Sequence, residues 1–396
     1  MSGTTRTLFL HVGPMKSGST YLQNAATAMA PQLAGAGLLF PLDDAGAWGL
    51  QSHAVREFRR DGGGRAWDQL AARLDAHPGD ALVSMEFLSL YRPEEVARLR
   101  AALPGHRILP VFTVRSALRL APSVWQTAAR NGTPEPWPEF AAGLAARGAH
   151  PAKAFFRRRQ GLVRQFEAWS SLGEPAILSV PEDRSDPAEL WRRFCGTLGL
   201  ADRVPYRPGE AVNRSLGYPS AELVRQVQVA LDDVAARRGA PLPEETRLVT
   251  KRLLSRRILI KRLREEPSIP VDAALGRWAA AWNRKVLASI EEVAPGLPAP
   301  VRAQLRVDLD VPAPDSPAYR PVEPPAPEAV AAAGDFAIAE LERLAAGATT
   351  LDPAASTTTG RPAPAGATPT VRRLVALIDL LADDVARGGD IAALLG

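Results

Sequence analysis

Residues 6 to 23, Arg6-Thr-Leu-Phe-Leu-His-Val-Gly-Pro-Met-Lys-Ser-Gly-Ser-Thr-Tyr-Leu-Gln23, decide the fold. Leu8, Phe9, Leu10 and Val12 make a short apolar run, as expected of a parallel strand covered on both faces. Gly13, Pro14, Ser17 and Gly18 interrupt it. From Ser19 and Thr20 a helix is predicted through Leu22, Ala25 and Met29. A strand, a glycine-bearing turn that holds a lysine, and a helix together form a cradle for phosphate or sulfate. The first N–H groups of a helix have no intrahelical partner, and the helix dipole favours negative charge beside them.

The position of the lysine narrows the chemistry. Gly13 and Gly18 have the separation of the nucleotide-binding pattern G-x-x-x-x-G-K-[ST], but Lys16 lies inside the loop and Ser19 stands where that pattern places lysine. Pro14-Met15-Lys16-Ser17-Gly18-Ser19-Thr20-Tyr21-Leu22 closely resembles the loop P-x-K-[ST]-G-[ST]-[ST]-x-L of sulfotransferases, which hold the 5′-phosphosulfate of 3′-phosphoadenosine 5′-phosphosulfate (PAPS). The resemblance implies that Gly13, Lys16, Ser17, Gly18, Ser19 and Thr20 bind PAPS, with PAP as product.

A second segment is similar to the same family. Ile108 to Val114 is apolar and ends in Val114-Arg115-Ser116, with Ser123 eight residues after Arg115. Taken alone these would read as a surface ion-pair arginine and a helix serine. In the family the corresponding Arg and Ser bind the 3′-phosphate. That pairing is physically sensible, because a guanidinium grips two phosphate oxygens and a hydroxyl donates to a third. Leu82 to Glu86, Phe166 to Gly173, Ala176 to Val180, Phe194 to Leu200 and Val212 to Leu216 also resemble family segments, so the match runs over about residues 7 to 300. Phe87 departs from it, standing where heparan-type relatives have lysine.

Composition sets bounds. The chain has 396 residues, 46% hydrophobic and 23% charged, which is enough for a sizeable core. Its abundant Ala, Arg, Gly and Pro match a bacterial source. A net charge of +5 suits a polyanionic cosubstrate without calling for nucleic acid. The single cysteine, Cys195, has no partner for an internal disulfide and reads as a small core side chain. No Cys/His cluster suggests a metal. The first strand starts almost at once, and no apolar run has the length of a membrane span, so a cytoplasmic protein is expected.

Strands are predicted at 7–12, 37–40, 81–85, 107–114 and 176–180. Helices are predicted at 20–31, 52–60, 65–76, 93–103, 116–130, 155–172 and 187–198. Such alternation implies an α/β fold, a P-loop NTPase-like parallel sheet flanked by helices, with ligands beyond the carboxyl ends of the strands. The expected organisation is a sulfotransferase domain over 1–300, mostly helical over 217–300 on the acceptor side. A Pro-rich linker over 301–329 and a helical C-terminal extension over 330–396 follow, with 347–370 disordered. A last helix near 371–387 gathers Leu374, Leu377, Ile378 and Leu381 on one face, to pack on the core, a second copy or a partner. The basic run from Lys251 to Arg264 reads as a solvated helix face balanced by Glu265 and Glu266; a membrane surface or an anionic acceptor are the alternatives.

By the resemblance, Lys16 meets the charge that grows on the bridging oxygen. The general base stays open between His53 and Glu86. Ser52 is a plausible N-cap, and a helix start would keep the His53 ring neutral. No metal is required where Lys16 and Arg115 supply the countercharge. The implied activity is sulfuryl transfer to a hydroxyl of a carbohydrate, glycolipid or secondary metabolite. The rivals are a P-loop small-molecule kinase, which needs its lysine after Gly18 and a carboxylate for Mg²⁺, and a non-enzymatic PAP-binding scaffold.

Overall fold

The structure, a computed structural model, describes residues 6–133, 135–206, 215–348 and 366–395. The Val212 to Ser215 part of the late resemblance lies mostly outside them, as does most of the segment expected to be disordered.

Five strands form one parallel sheet: β1 (Arg6–His11), β2 (Leu38–Leu39), β3 (Asp80–Ser84), β4 (His106–Val114) and β5 (Ala176–Ser179), in the order β2-β3-β1-β4-β5. The fold is α/β, as the alternation implies. Leu10 of β1 stands opposite Val83 on one side and Pro110 on the other. Pro110 lacks an N–H to give, and β4 pairs with β5 only from Val111 onward, so the missing donor falls where no ladder needs it.

Successive β1 side chains point to opposite faces, and each face has its own core. Leu8, Leu10 and Val12 pack with Val55, Phe58, Val83, Phe112 and Phe166; Phe9 packs with Leu22, Met29, Leu82, Val111 and Trp191. Each such buried side chain contributes about 1.5–3 kcal/mol. The flanking helices are α1 (Ser19–Ala28), α2 (Ala30–Gly35), α3 (Gly49–Asp61), α4 (Arg65–Ala76) and α5 (Pro93–Ala102). The single helix expected over 20–31 is two, because Pro31, in the first turn of α2, cannot continue the α1 ladder.

Helix α6 (Ala117–Ala129) follows β4, then α7 (Trp137–Ala145), α8 (Pro151–Gln160), α9 (Leu162–Trp169) and α10 (Glu189–Thr197). The helix expected over 155–172 breaks at Gly161, where a side chain would meet the Arg157 carbonyl at 2.5 Å. Beyond it lie α11 (Tyr218–Arg238), α12 (Glu244–Leu248), a π-helix (Val249–Ile258), α13 (Ala273–Val293), α14 (Ala299–Asp308), α15 (Pro327–Gly347), α16 (Pro369–Ala386) and α17 (Asp390–Leu395).

Packing divides the chain into two compact units. The first takes the described residues of Met1–Leu120, Ala146–Asn213 and Ala274–Pro314; the second takes those of Ala121–Ala145, Arg214–Ala273 and Asp315–Gly396. The sheet and both cores belong to the first. In the second, the apolar face of α16 (Leu374, Leu377, Ile378, Leu381) is buried among α11, α12 and α15 of the same unit. No helix among the described residues is long and apolar enough to cross a membrane.

Candidate functional site

The loop between β1 and α1 is held in an unusual shape. Lys16 has φ 72, the left-handed region that costs a side-chain-bearing residue about 1–3 kcal/mol. Gly18 has φ 90 and caps α1, and a side chain on it would meet Leu190 at 2.7 Å. Three successive carbonyls are drawn to protein donors. The Ser17 hydroxyl donates to Pro14 O at 2.5 Å, Gln160 Nε2 of α8 to Met15 O at 2.7 Å, and Arg115 Nη1 to Lys16 O at 2.9 Å. Carbonyl oxygens would repel an anion, and these are engaged. The first helical bond is Leu22 N to Gly18 O at 3.1 Å, so the N–H groups of Ser19, Thr20 and Tyr21 remain outside the ladder at the positive end of the dipole.

Beneath the loop runs a buried chain of hydrogen bonds whose direction can be worked out. The one hydroxyl proton of Ser17 goes to Pro14 O, so at 2.7 Å Ser17 Oγ must accept from Thr113. Thr113 Oγ1, its proton used, accepts from His11 Nε2 at 3.2 Å. His11 Nδ1 therefore accepts from the Ser84 hydroxyl at 2.7 Å. The ring is wholly buried, and burial pushes its pKa down to about 3, so it is neutral with the proton on Nε2. His11 is thus a fixed strut across β3, β1 and β4. Gly13 must lack a side chain, since a Cβ would stand 2.4 Å from Thr113 Oγ1 and 2.6 Å from His11 Nε2.

Arg115 follows the last residue of β4, the strand beside β1. Its position is set from behind. Asn283 of α13 accepts from Ala117 N at 3.0 Å and donates to Ser116 Oγ at 3.1 Å and Leu309 O at 2.6 Å. Arg115 Nε is buried with no hydrogen-bond partner among the described residues. Burial, then the nearby Arg184 and Arg119, push the guanidinium down to about 9, with Glu182 opposing them. An anion placed there would reverse that cost.

Glu86 opens a 3₁₀ turn directly after β3, half-buried, and its Oε2 accepts from Gln23 Nε2 of α1 at 3.1 Å. The same amide donates to Ser84 O at 2.9 Å, and Gln23 Oε1 is buried without a partner among the described residues. The structure thus brings Gly13, Lys16, Ser17, Gly18, Ser19, Thr20, Glu86 and Arg115 to the carboxyl ends of three adjacent strands. It does not bring His53 into any hydrogen bond among the described residues. His53 is exposed in the second turn of α3, which starts at Gly49 after Trp48. Ser52 is therefore not the cap, and His53 lies beyond the first turn, which is where the helix dipole acts. Ser123, half-buried on α6, falls in the second unit. The Cys195 thiol is buried, which pushes it up to about 12 and out of reach as a nucleophile.

No protein-family model matches the chain, and no curated protein does. Among solved structures, the crystal structure of a sulfotransferase from Alicyclobacillus acidocaldarius is similar at 17% identity and a TM-score of 0.34, over 60% of this chain and 98% of that one. The likeness is distant and decides nothing about this site.

Residues with no sequence signal complete the arrangement. Gln160 and Asn283 reach the loop and the β4 end from far along the chain, and nothing around them marks them out. Thr113 could have been noticed as a polar residue within an apolar strand, one turn of the pleat before Arg115.

Proposed function

We propose that this protein is a PAPS-dependent sulfotransferase acting on a hydroxyl of a carbohydrate, glycolipid or secondary metabolite. The observation that carries the reading is a loop with its carbonyls engaged and its helix-start amides spared, beside a half-buried arginine whose buried Nε has no partner among the described residues. That surface suits an anion, and Lys16 within the loop, rather than after Gly18, suits sulfuryl rather than phosphoryl transfer. PAPS would supply the sulfuryl group and depart as PAP.

The chain's residues have distinct parts in this proposal. Backbone N–H groups of Gly18, Ser19 and Thr20 hold the 5′-phosphate, the expected Ser17 N–H being engaged by Pro14 O at 3.3 Å; the Lys16 ammonium neutralises charge at the bridging oxygen, and Arg115 takes the 3′-phosphate. Ser123 is assigned the same phosphate by resemblance alone. Glu86, tied to α1 through Gln23, is the first choice for the group that receives the acceptor's proton, with His53 the alternative. In a loose transition state, positioning and electrostatics dominate.

Calorimetry with PAP, and with ATP with and without Mg²⁺, separates this reading from a kinase; transfer of ³⁵S from PAPS to candidate acceptors separates it from a scaffold. Lys16→Ala should lower turnover by about 10²–10³-fold, the usual effect of losing one preorganised charge-stabilising donor, while the melting temperature holds. Binding of ATP–Mg²⁺ but not PAP, or full turnover in Lys16→Ala, would sink the proposal.

A further inference from the structure

We propose that the second unit has an anion site of its own, in which Arg130, Lys251 and Arg256 hold a phosphate or sulfate ester borne by a small soluble molecule. The inference does not depend on sulfuryl transfer at the loop after β1.

The basic run is expected to be an ordinary helix face balanced by Glu265 and Glu266; the structure corrects the helix type and places the balance at the Arg262 end of the run. Val249–Ile258 is a π-helix, and the Ser255 hydroxyl donates to the carbonyl five residues back, Thr250 O, at 2.9 Å. Helices of this kind are rare and recur at functional sites. In an α-helix, residues five apart point away from one another; with i→i+5 bonding they share a face, which puts Lys251 and Arg256 together. The counter-charges meet the C-terminal end of the run, away from Lys251 and Arg256. Glu266 meets Arg262 at 2.8 Å, Glu265 meets Arg262 at 3.6 Å, and Glu340 meets Lys261 at 2.7 Å.

A third cation, Arg130, joins from the turn directly after α6. Lys251 Nζ donates to Asn131 Oδ1 at 2.8 Å, which seats it beside Arg130, and Arg130 Nε is fixed on Gln126 O at 3.2 Å. Among the described residues none of the three cations has a salt bridge. Asp232 is the carboxylate that faces Lys251, and it accepts from Gln228 at 3.0 Å. Burial, then Arg256, pushes the Arg130 guanidinium down to about 10. Burial, then Arg247, Arg130 and Arg256, also lowers Lys251. Like charges gathered at a helix distortion, two of them half-buried, are costly by themselves and favourable around a multiply charged oxyanion, which two guanidinium forks and an ammonium can grip. Arg130 and Lys251 are half-buried and Arg256 is exposed; two recessed cations fit a small anion better than a flat membrane surface.

The test uses inorganic pyrophosphate as probe, titrated calorimetrically into the full-length protein, Lys16→Ala, Lys251→Gln and the double variant Lys251→Gln, Arg256→Gln. Wild type and Lys16→Ala should share a binding event of similar affinity. The double variant should bind about 10–100-fold more weakly, as expected for lost charged hydrogen bonds, and the single variant should fall between. Relief of mutual repulsion should leave the double variant's melting temperature unchanged or raised, and pyrophosphate should raise it less than in wild type. Wild-type affinity in the double variant, or loss in Lys16→Ala alone, overturns the site. So does cosedimentation with phosphatidylserine vesicles by a protein that ignores pyrophosphate.

Discussion

Acidification should destabilise this protein through His11, and the size of the effect follows from its burial. In the folded chain the ring keeps a pKa of about 3, against 6.5 for a free imidazole. Between those values the unfolded chain takes up a proton that the folded chain refuses, so the contribution is whole above pH 6.5 and is lost as the pH falls toward 3. The limiting slope is about 1.4 kcal/mol per pH unit, which amounts to about 2 kcal/mol between pH 7 and pH 5. That is a sizeable share of the roughly 5–15 kcal/mol typical of a domain. Urea unfolding at the two pH values, for wild type and His11→Gln, isolates the effect, since every other titrating group is common to both. The wild type should lose about 2 kcal/mol more than the variant over that range. Parallel losses in the two proteins, or a ¹⁵N spectrum in which His11 titrates near pH 6.5 or carries its proton on Nδ1, would refute the reasoning.

Two further substitutions probe the frame around the site. Gly13→Ala drives a methyl into Thr113 Oγ1 and His11 Nε2 at 2.4 and 2.6 Å, and overpacking of this sort should cost about 1–3 kcal/mol, read from chemical denaturation. An unchanged midpoint would mean that the strut has room to move. Asp308 of α14 accepts from Ser179 Oγ at 2.5 Å and Glu182 N at 2.9 Å, and is paired with Arg193. Asp308→Ala leaves Arg193 with Glu189, at 2.7 Å, as its remaining carboxylate, but takes the acceptor from Ser179 Oγ and Glu182 N, and should cost about 1–3 kcal/mol; a loss under about 0.5 kcal/mol would show the contact to be dispensable.

What was legible in the sequence was local. The apolar run at Leu8 to Val12, the glycines after it and the Val-Arg ending of β4 each announce themselves within a few residues, and the parallel sheet follows from their alternation with helices. Structure that depends on distant partners was not legible. Gln160 on the loop, Asn283 behind Arg115 and the burial of α16 by its own unit are decided by packing, which leaves no periodic trace. The π-helix was missed because its hydrophobic positions (Val249, Leu253, Leu254, Ile258) also suit an α-helix. The start of α3 was misjudged at Ser52 because Trp48-Gly49 carries no capping side chain. The expected placement of His53 as base leaned on that start, and is left with less support than Glu86.

The interleaving of the two units bears on how the chain is made. Val286, Ile290, Leu305 and Leu309 belong to the same core as Leu8 and Phe112, yet they leave the ribosome after the whole sheet and a long stretch of the other unit. Domains usually fold as they emerge, beginning at the N-terminus. Here the nascent sheet must wait, one face incompletely covered, until Ala274–Pro314 arrives, and during that delay a chaperone that shields apolar surface would have the most to do.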